Sequence, residues 1–482
     1  MKKWGPCILV VWFLLLVTAC GDDSDNSTKP ENTPQSPVMS QFPSGQATDV
    51  ETDAVVSAMF SEDMDSLTIN TQTFTLSYNP LVSGTVAYDK STRTATFTPD
   101  SLLANGTTYT ATLTTGITNS SGTPLASDYS WSFTTKYIPG QGPVYLPRTG
   151  QTSRYAPGDD GYIRSGVEWP SPRFVDNLDG TITDELTGLM WLKDGECLGH
   201  GIWQGEAYQM VDTLNIDPWS LDCQDYTTQR YQDWRLPNVN ELESLIHAGQ
   251  HNTSTWLNAV GFTGVQPSYY WSSTTDAYTP GNAGKAWCVN MWNGPVDPQQ
   301  KPFYQRLWAV RGETTQPALV WKSGQTTSHR PNDDGELQEG APWPRPRFFL
   351  HSNNVTTTDL LTGLVWVRGA DTPAHGTCTG GVQSWQEALD YIDCLNSYNY
   401  AGVSDWRLPN RKELLSLIDR EQYNPALPSD HYFADVQLGY YWTSTTYAFD
   451  TNRVWVVGMR YGDVGPRDKT GNAWVWPVRG GR

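Results

Sequence analysis

The chain has 482 residues and carries 32 Lys and Arg against 51 Asp and Glu, a formal net charge of −19. A surface of that sign repels phosphate backbones, which argues against nucleic acid as a partner. Beyond the first 20 residues no stretch is apolar enough to cross a bilayer, and the remaining length suits about three domains with sizeable cores.

Lys2 and Lys3 precede an apolar run from Ile8 to Val17, about half of the roughly 20 apolar residues a spanning helix needs. Small residues and a cysteine follow it, the pattern of a cleaved export signal. Val17-Thr18-Ala19-Cys20 resembles the lipobox of bacterial lipoproteins, which implies a signal peptide over 1–19 and acylation of Cys20, several chains holding the protein to a membrane. Gly21 replaces the aspartate that in the family pattern favours inner-membrane retention, so an outer-membrane or cell-surface location is expected. Residues 20–36 are polar, proline-containing and aperiodic, and read as a flexible tether.

From 37 to 136 short alternating runs such as Thr73-Phe74-Thr75-Leu76, Gly84-Thr85-Val86-Ala87-Tyr88 and Ser130-Trp131-Ser132-Phe133 are separated by turn residues. That spacing predicts an all-β sandwich. FSEDMD at 60–65, SGTVAYD at 83–89, ATFTPDSLLANGTTYTATL at 95–113 and YSWSFTT at 129–135 resemble the SbsA-type bacterial Ig-like domain, whose members act mainly as spacers or stalks.

All but three of the 22 tryptophans (Trp4, Trp12 and Trp131) lie beyond residue 137, where the chain duplicates itself. GQTSRYAPGDDG at 150–161 returns as GQTTSHRPNDDG at 324–335, TDELTGLMW at 183–191 as TDLLTGLVW at 358–366, and DWRLPN at 233–238 again at 405–410. YYWSSTT at 269–275 becomes YYWTSTT at 440–446, and VRG at 310–312 returns at 478–480. A period near 170 residues means two whole domains, 137–314 and 315–482, rather than a solenoid. In each, an early hairpin, two helices and a late set of strands are expected. Ser384 and Glu387 form a capping box ahead of Trp385, Ala388, Leu389, Ile392 and Leu395, with Trp203, Ala207, Val211 and Leu214 as counterparts. The second helix opens at Asn238 with Glu241, and at Asn410 with Glu413.

These repeated residues, through TGLMW, DWRLPN, YYWSSTT and the terminal VRGG, resemble the Lcl C-terminal domain family, named after the end domain of a collagen-like adhesin. The RLP and VRGG elements are also similar to the formylglycine-generating branch of the C-type-lectin-like fold. The implied fold class is multidomain: an all-β Ig-like sandwich followed by two α+β C-type-lectin-like domains.

The candidate chemical groups divide into several sets. Arg235 and Arg407 are possible ligand-binding cations and Glu241 and Glu413 possible acids, but their positions also suit a brace and a cap. Asp159, Asp160, Asp333 and Asp334 could offer hard oxygen ligands to Ca²⁺, although Asp-Gly turn chemistry explains them equally and no EF-hand spacing is present. His247 and His251 are four apart as helical zinc ligands would be, yet Gly249 lies between them and their counterparts are Asp419 and Tyr423. No histidine is matched between copies, so a shared histidine base is excluded; no cofactor is called for.

Matched placement in the two copies predicts bridges Cys197–Cys223 and Cys378–Cys394, leaving Cys288 odd. A formylglycine-generating enzyme needs a reactive, metal-binding cysteine pair, which a single unmatched cysteine does not provide. The late loops carry Tyr278, Trp292, Tyr304, Tyr447, Tyr461 and Trp474 among glycines and amides, a composition that suits sugar rings and equally a loop-rich core. The expectation is a lipid-anchored surface protein, not an enzyme, with a stalk and two lectin-like heads for polysaccharide or another surface polymer. The alternatives are a cell-envelope enzyme using carboxylates in both heads, or a purely structural envelope component.

Overall fold

The computed structural model describes residues 37–77, 81–100, 102–103, 106–136, 142–221, 223, 226, 231–279, 284–315 and 317–481. The expected signal, the expected lipidation site Cys20 and the expected tether lie outside the described residues.

The Ig-like part is a sandwich of two antiparallel sheets. One has the order Val38–Phe42, Val56–Phe60, Thr94–Pro99, Gly84–Asp89; the other is Phe74–Ser77, Thr108–Leu113, Tyr129–Thr134. Alternation decides which side chains turn inward: Phe60, Phe74, Phe97, Tyr109, Trp131 and Phe133 fill the space between the sheets. On the outer face of the smaller sheet, Thr108 meets Thr134 at 2.9 Å, while Thr110 meets Ser132 and Thr112 meets Ser130 at 2.8 Å. Those hydroxyl pairs are the cross-strand contacts that make threonine and serine favourable on a solvated sheet face.

Each repeat is α+β. The early hairpin is Phe174–Asp176 with Thr181–Asp184, extended by Met190–Leu192 and Val310–Arg311; Phe348–Leu350, Thr356–Asp359, Val365–Val367 and Val478–Arg479 repeat it. The first helix runs Glu206–Ile216 in one copy and Trp385–Ser397 in the other, the latter closed by the Ser384–Glu387 capping box. Both second helices, Val239–Ser244 and Arg411–Ser416, start at the expected asparagine with a complete box. A further helix, Thr253–Ala259, belongs to the first repeat alone. Its counterpart between Asn424 and Asp430 holds Pro425 and Pro428, whose missing N–H groups cannot sustain helical hydrogen bonds.

The late strands of the two repeats form one eight-stranded sheet. Its order is His200–Gly201, Gln305–Arg306, Tyr269–Thr275, Lys285–Asn290, Val296–Gln300, then Val464–Asp468, Arg453–Gly458, Tyr440–Thr446. The seam is the antiparallel pairing of Val296 with Val464.

The repeats also exchange their leading segments. Asp160, in the first GQT…DDG motif, accepts hydrogen bonds from its neighbour Thr149 at 2.6 Å and from Thr445 of the second repeat at 2.7 Å. Asp334 does the same with Ser323 at 2.5 Å and Thr274 of the first repeat at 2.6 Å. Gln151 and Gln325 accept from the backbone of Thr446 and Thr275 across the same boundary. Gly161 and Gly335 close the motif because a Cβ at either would sit about 2 Å from the carbonyl oxygen of Ser153 or Thr327. The two copies are therefore interlocked, each completed by chain that the other copy's number range contains.

Candidate functional site

The six aromatic candidates do not form one site. Tyr278 of the first repeat lies against Tyr461 and Tyr423 of the second, with ring centroids 5.1 and 5.4 Å apart. Trp292 of the first repeat lies against Phe449 of the second at 5.3 Å, and Phe449 in turn packs on Tyr447 at 5.9 Å. Tyr304 stands apart, exposed beside His200 at 5.7 Å. Trp474 is half-buried against the core.

Two aromatic clusters thus flank the seam, each built from both copies, and the repeat register relates them: Tyr278 corresponds to Phe449, and Trp292 to Arg460, whose guanidinium lies 5.1 Å from the Tyr461 ring. Tyr278, Trp292, Tyr423 and Phe449 are 40–51% exposed, whereas Tyr447 is buried with its ring edge on Trp455 and its hydroxyl accepting from Asn293. Burial accordingly pushes the Tyr447 hydroxyl pKa up. Exposed ring faces can hold the C–H face of a sugar, and an exposed amide such as that of Asn424 its hydroxyls. Sequence reasoning missed Tyr423, Phe449 and Arg460; the internal register, which places Phe449 under Tyr278, is the signal that would have found them.

Beneath the seam lies a buried ionic group. Lys412 donates to the Glu243 carboxylate at 2.6 Å and to its backbone oxygen at 2.7 Å, while Arg411 approaches the same carboxylate at 3.3 Å. Burial draws the Lys412 ammonium down to about 8, against the opposing pull of Glu243. Asp297 and Asp463, one from each copy, are both raised by burial and take hydrogen bonds from Tyr269 and Tyr440.

The other candidates serve the scaffold. Arg235 binds Glu241 through two hydrogen bonds of 2.7 Å while Glu241 caps its helix; Arg407 and Glu413 repeat this at 2.6 and 2.7 Å. Asp159 and Asp333 are N-caps that accept from Tyr162 and Glu336. Burial, opposed only in part by the hydroxyl hydrogen bonds, holds the Asp160 and Asp334 carboxyls up at about 7. His247 is wedged between Trp169 and Trp256, each 4.8 Å away, and burial lowers its pKa to about 4. Among the described residues no group of three or more His, Cys, Asp or Glu converges as metal ligands would. The bridges Cys197–Cys223 and Cys378–Cys394 are both formed, and Cys288 is buried and free.

A cavity of about 460 Å³ opens over Arg235, whose Nε lies 3.8 Å from Glu339, a carboxyl raised by burial. In the second repeat the place of Glu339 is taken by Ser165, which donates to Glu413. The pairing of Arg235 with Glu339 is therefore not repeated in the second copy.

The Lcl C-terminal domain family matches residues 180–311 and again 355–479, and a bacterial Ig-like domain family matches 32–135. No curated protein matches the chain. Among solved structures, surface layer protein SbsC, domains 1-6, is similar over 23% of the chain at 20% identity, with a TM-score of 0.17; the chain spans 14% of it. PcoC, a methionine-rich copper resistance protein from Escherichia coli, is similar over 21% of the chain and 98% of its own length at 17% identity and a TM-score of 0.18. CopC from Methylosinus trichosporium OB3b is similar over 21% of the chain and 95% of its own at 14% identity and a TM-score of 0.18. At such scores these likenesses say nothing of function.

Proposed function

The chain belongs to the Lcl C-terminal domain family through both of its repeats, and from that membership together with the seam geometry we propose a cell-surface binding protein for polysaccharide or a similar surface polymer. A lipid on Cys20 would hold it to the outer membrane, the tether and Ig-like sandwich would act as a stalk, and the interlocked repeats would form the binding head. The observation that carries this reading is the joining of exposed aromatic rings from both repeats into two clusters, Tyr278 with Tyr423 and Tyr461, and Trp292 with Phe449. Two such platforms on one body could hold successive segments of one polymer, each raising the effective concentration at the other.

The test is a glycan array probed with the full mature chain, with and without EDTA. Binding that Tyr278→Ala and Trp292→Ala both weaken supports the reading, and no binding to any glycan overturns it. Loss with EDTA would add Ca²⁺ to the picture. Metabolic labelling with a palmitate analogue, abolished by Cys20→Ser, tests the anchor.

A further inference from the structure

The two repeats differ at one equivalent place. In the first, Trp169 is covered by His247 at 4.8 Å and by Trp256 at 5.7 Å, Trp256 being presented by the helix Thr253–Ala259. In the second, the matching Trp343 keeps the equivalent arginine, Arg347, 4.3 Å from its ring, just as Arg173 lies 4.5 Å from Trp169. Its other partners are gone. Asp419 stands where the first repeat has His247, no helix forms, and no aromatic occurs between Tyr423 and His431. The result is an open cavity of about 470 Å³ walled by Trp343, Pro344, Asp419 and Pro428.

The chemistry of this cavity is specific. Asp419 is 6% exposed; one of its oxygens accepts from the Glu421 N–H at 2.9 Å, and among the described residues none donates to the other. Burial raises its pKa to about 7, so it can accept or donate near neutrality. Gln338 and Gln422 add amides. The exposed wall carries both signs, Lys322 and Arg345 against Glu421 and Asp430, while Arg347 is neutralised by Asp359, which favours neither a strong anion nor a cation. The volume lies in the range of about 300–1,000 Å³ usual for small-ligand sites.

We propose that this cavity of the second repeat is a binding site for a single neutral pyranose, its C–H face on Trp343 and its hydroxyls on Asp419 and the glutamine amides. The ligand class rests on the saccharide-binding reading above; the place does not, since it shares no residue with the seam clusters.

The full mature chain is titrated with the methyl glycosides of glucose, galactose, mannose and N-acetylglucosamine, followed by tryptophan fluorescence and amide NMR shifts. At least one should saturate with a roughly millimolar dissociation constant. Asp419→Asn, which is isosteric, should weaken it by about tenfold, the value of one hydrogen bond to a carboxylate. Ser429→Trp, placed at the exposed rim, should abolish it by occlusion and leaves the buried side chains where they are. Tyr278→Ala should weaken polymer binding. The proposal is overturned if no glycoside saturates up to about 50 mM, or if binding survives both cavity variants; polymer binding that remains sensitive to Tyr278 would then show that the seam reading stands without it.

Discussion

Asp160 and Thr445 are 285 positions apart in the chain, yet the Thr445 hydroxyl donates to the Asp160 carboxyl at 2.7 Å inside the protein. Asp334 and Thr274 form the mirror contact at 2.6 Å. With Asn238 donating to the Glu339 carbonyl and Asn410 to the Ser165 carbonyl, at 3.1 and 3.2 Å, they fasten each leading segment to the opposite repeat.

One consequence concerns pH. Asp160 and Asp334 stay protonated in the folded protein up to about 7, whereas in the unfolded chain they ionise near the ordinary aspartate value of 3.8. Between those values the folded state binds more protons, so their contribution is present at low pH and lost as pH rises, by up to a few kcal/mol. His247, lowered to about 4, acts in the opposite sense as pH falls below its ordinary value of 6.5. Urea denaturation from pH 4 to 7 should therefore show a less negative slope of stability against pH in Asp160→Asn and Asp334→Asn than in the unaltered chain. An identical slope would exclude the protonated carboxyls.

A second concerns the cut points. Segment 142–167 reaches the second repeat through Val144 and Asp160 while Thr149 stays on its own, and 315–342 reaches the first through Ala318 and Asp334 while Ser323 stays on its own; a fragment covering 168–342 should nonetheless show better dispersed amide NMR signals than one covering 137–314. Equal dispersion would mean that the exchange contacts contribute little.

A third concerns the buried ions. Glu243→Ala leaves Lys412 and Arg411 without their carboxylate and should cost about 3–5 kcal/mol, measured by chemical denaturation. The first repeat has Val239 and Asn240 where the second has Arg411 and Lys412, and the second has Leu415 where the first has Glu243. The triple variant Glu243→Leu, Arg411→Val, Lys412→Asn should recover most of the loss, because replacing the whole buried ion group by neutral side chains leaves no charge unpaired.

A fourth concerns the bridges. Replacing Cys378 and Cys394 by serine should lower stability by about 2–4 kcal/mol, and reduction of the unaltered chain, which opens Cys197–Cys223 as well, should lower it further.

The sequence by itself determined the local structure and the plan. Alternation set the sandwich strands, since period-2 burial depends only on neighbours along the chain. Asn238–Glu241, Asn410–Glu413 and Ser384–Glu387 set three helix starts, because a capping box lies within four residues. The duplication gave the two repeats, and matched cysteines the two bridges. Only the tertiary structure decided that the repeats share a sheet at Val296 and Val464, that Asp160 and Asp334 reach across to the opposite copy, and that Tyr278 finds Tyr461 while Tyr304 joins neither cluster. Those contacts join positions far apart in sequence, and identical motifs fit an interlocked pair as well as two separate domains. Which arrangement wins depends on the packing of whole surfaces, including the loss of Trp256 that opens the cavity beside Trp343.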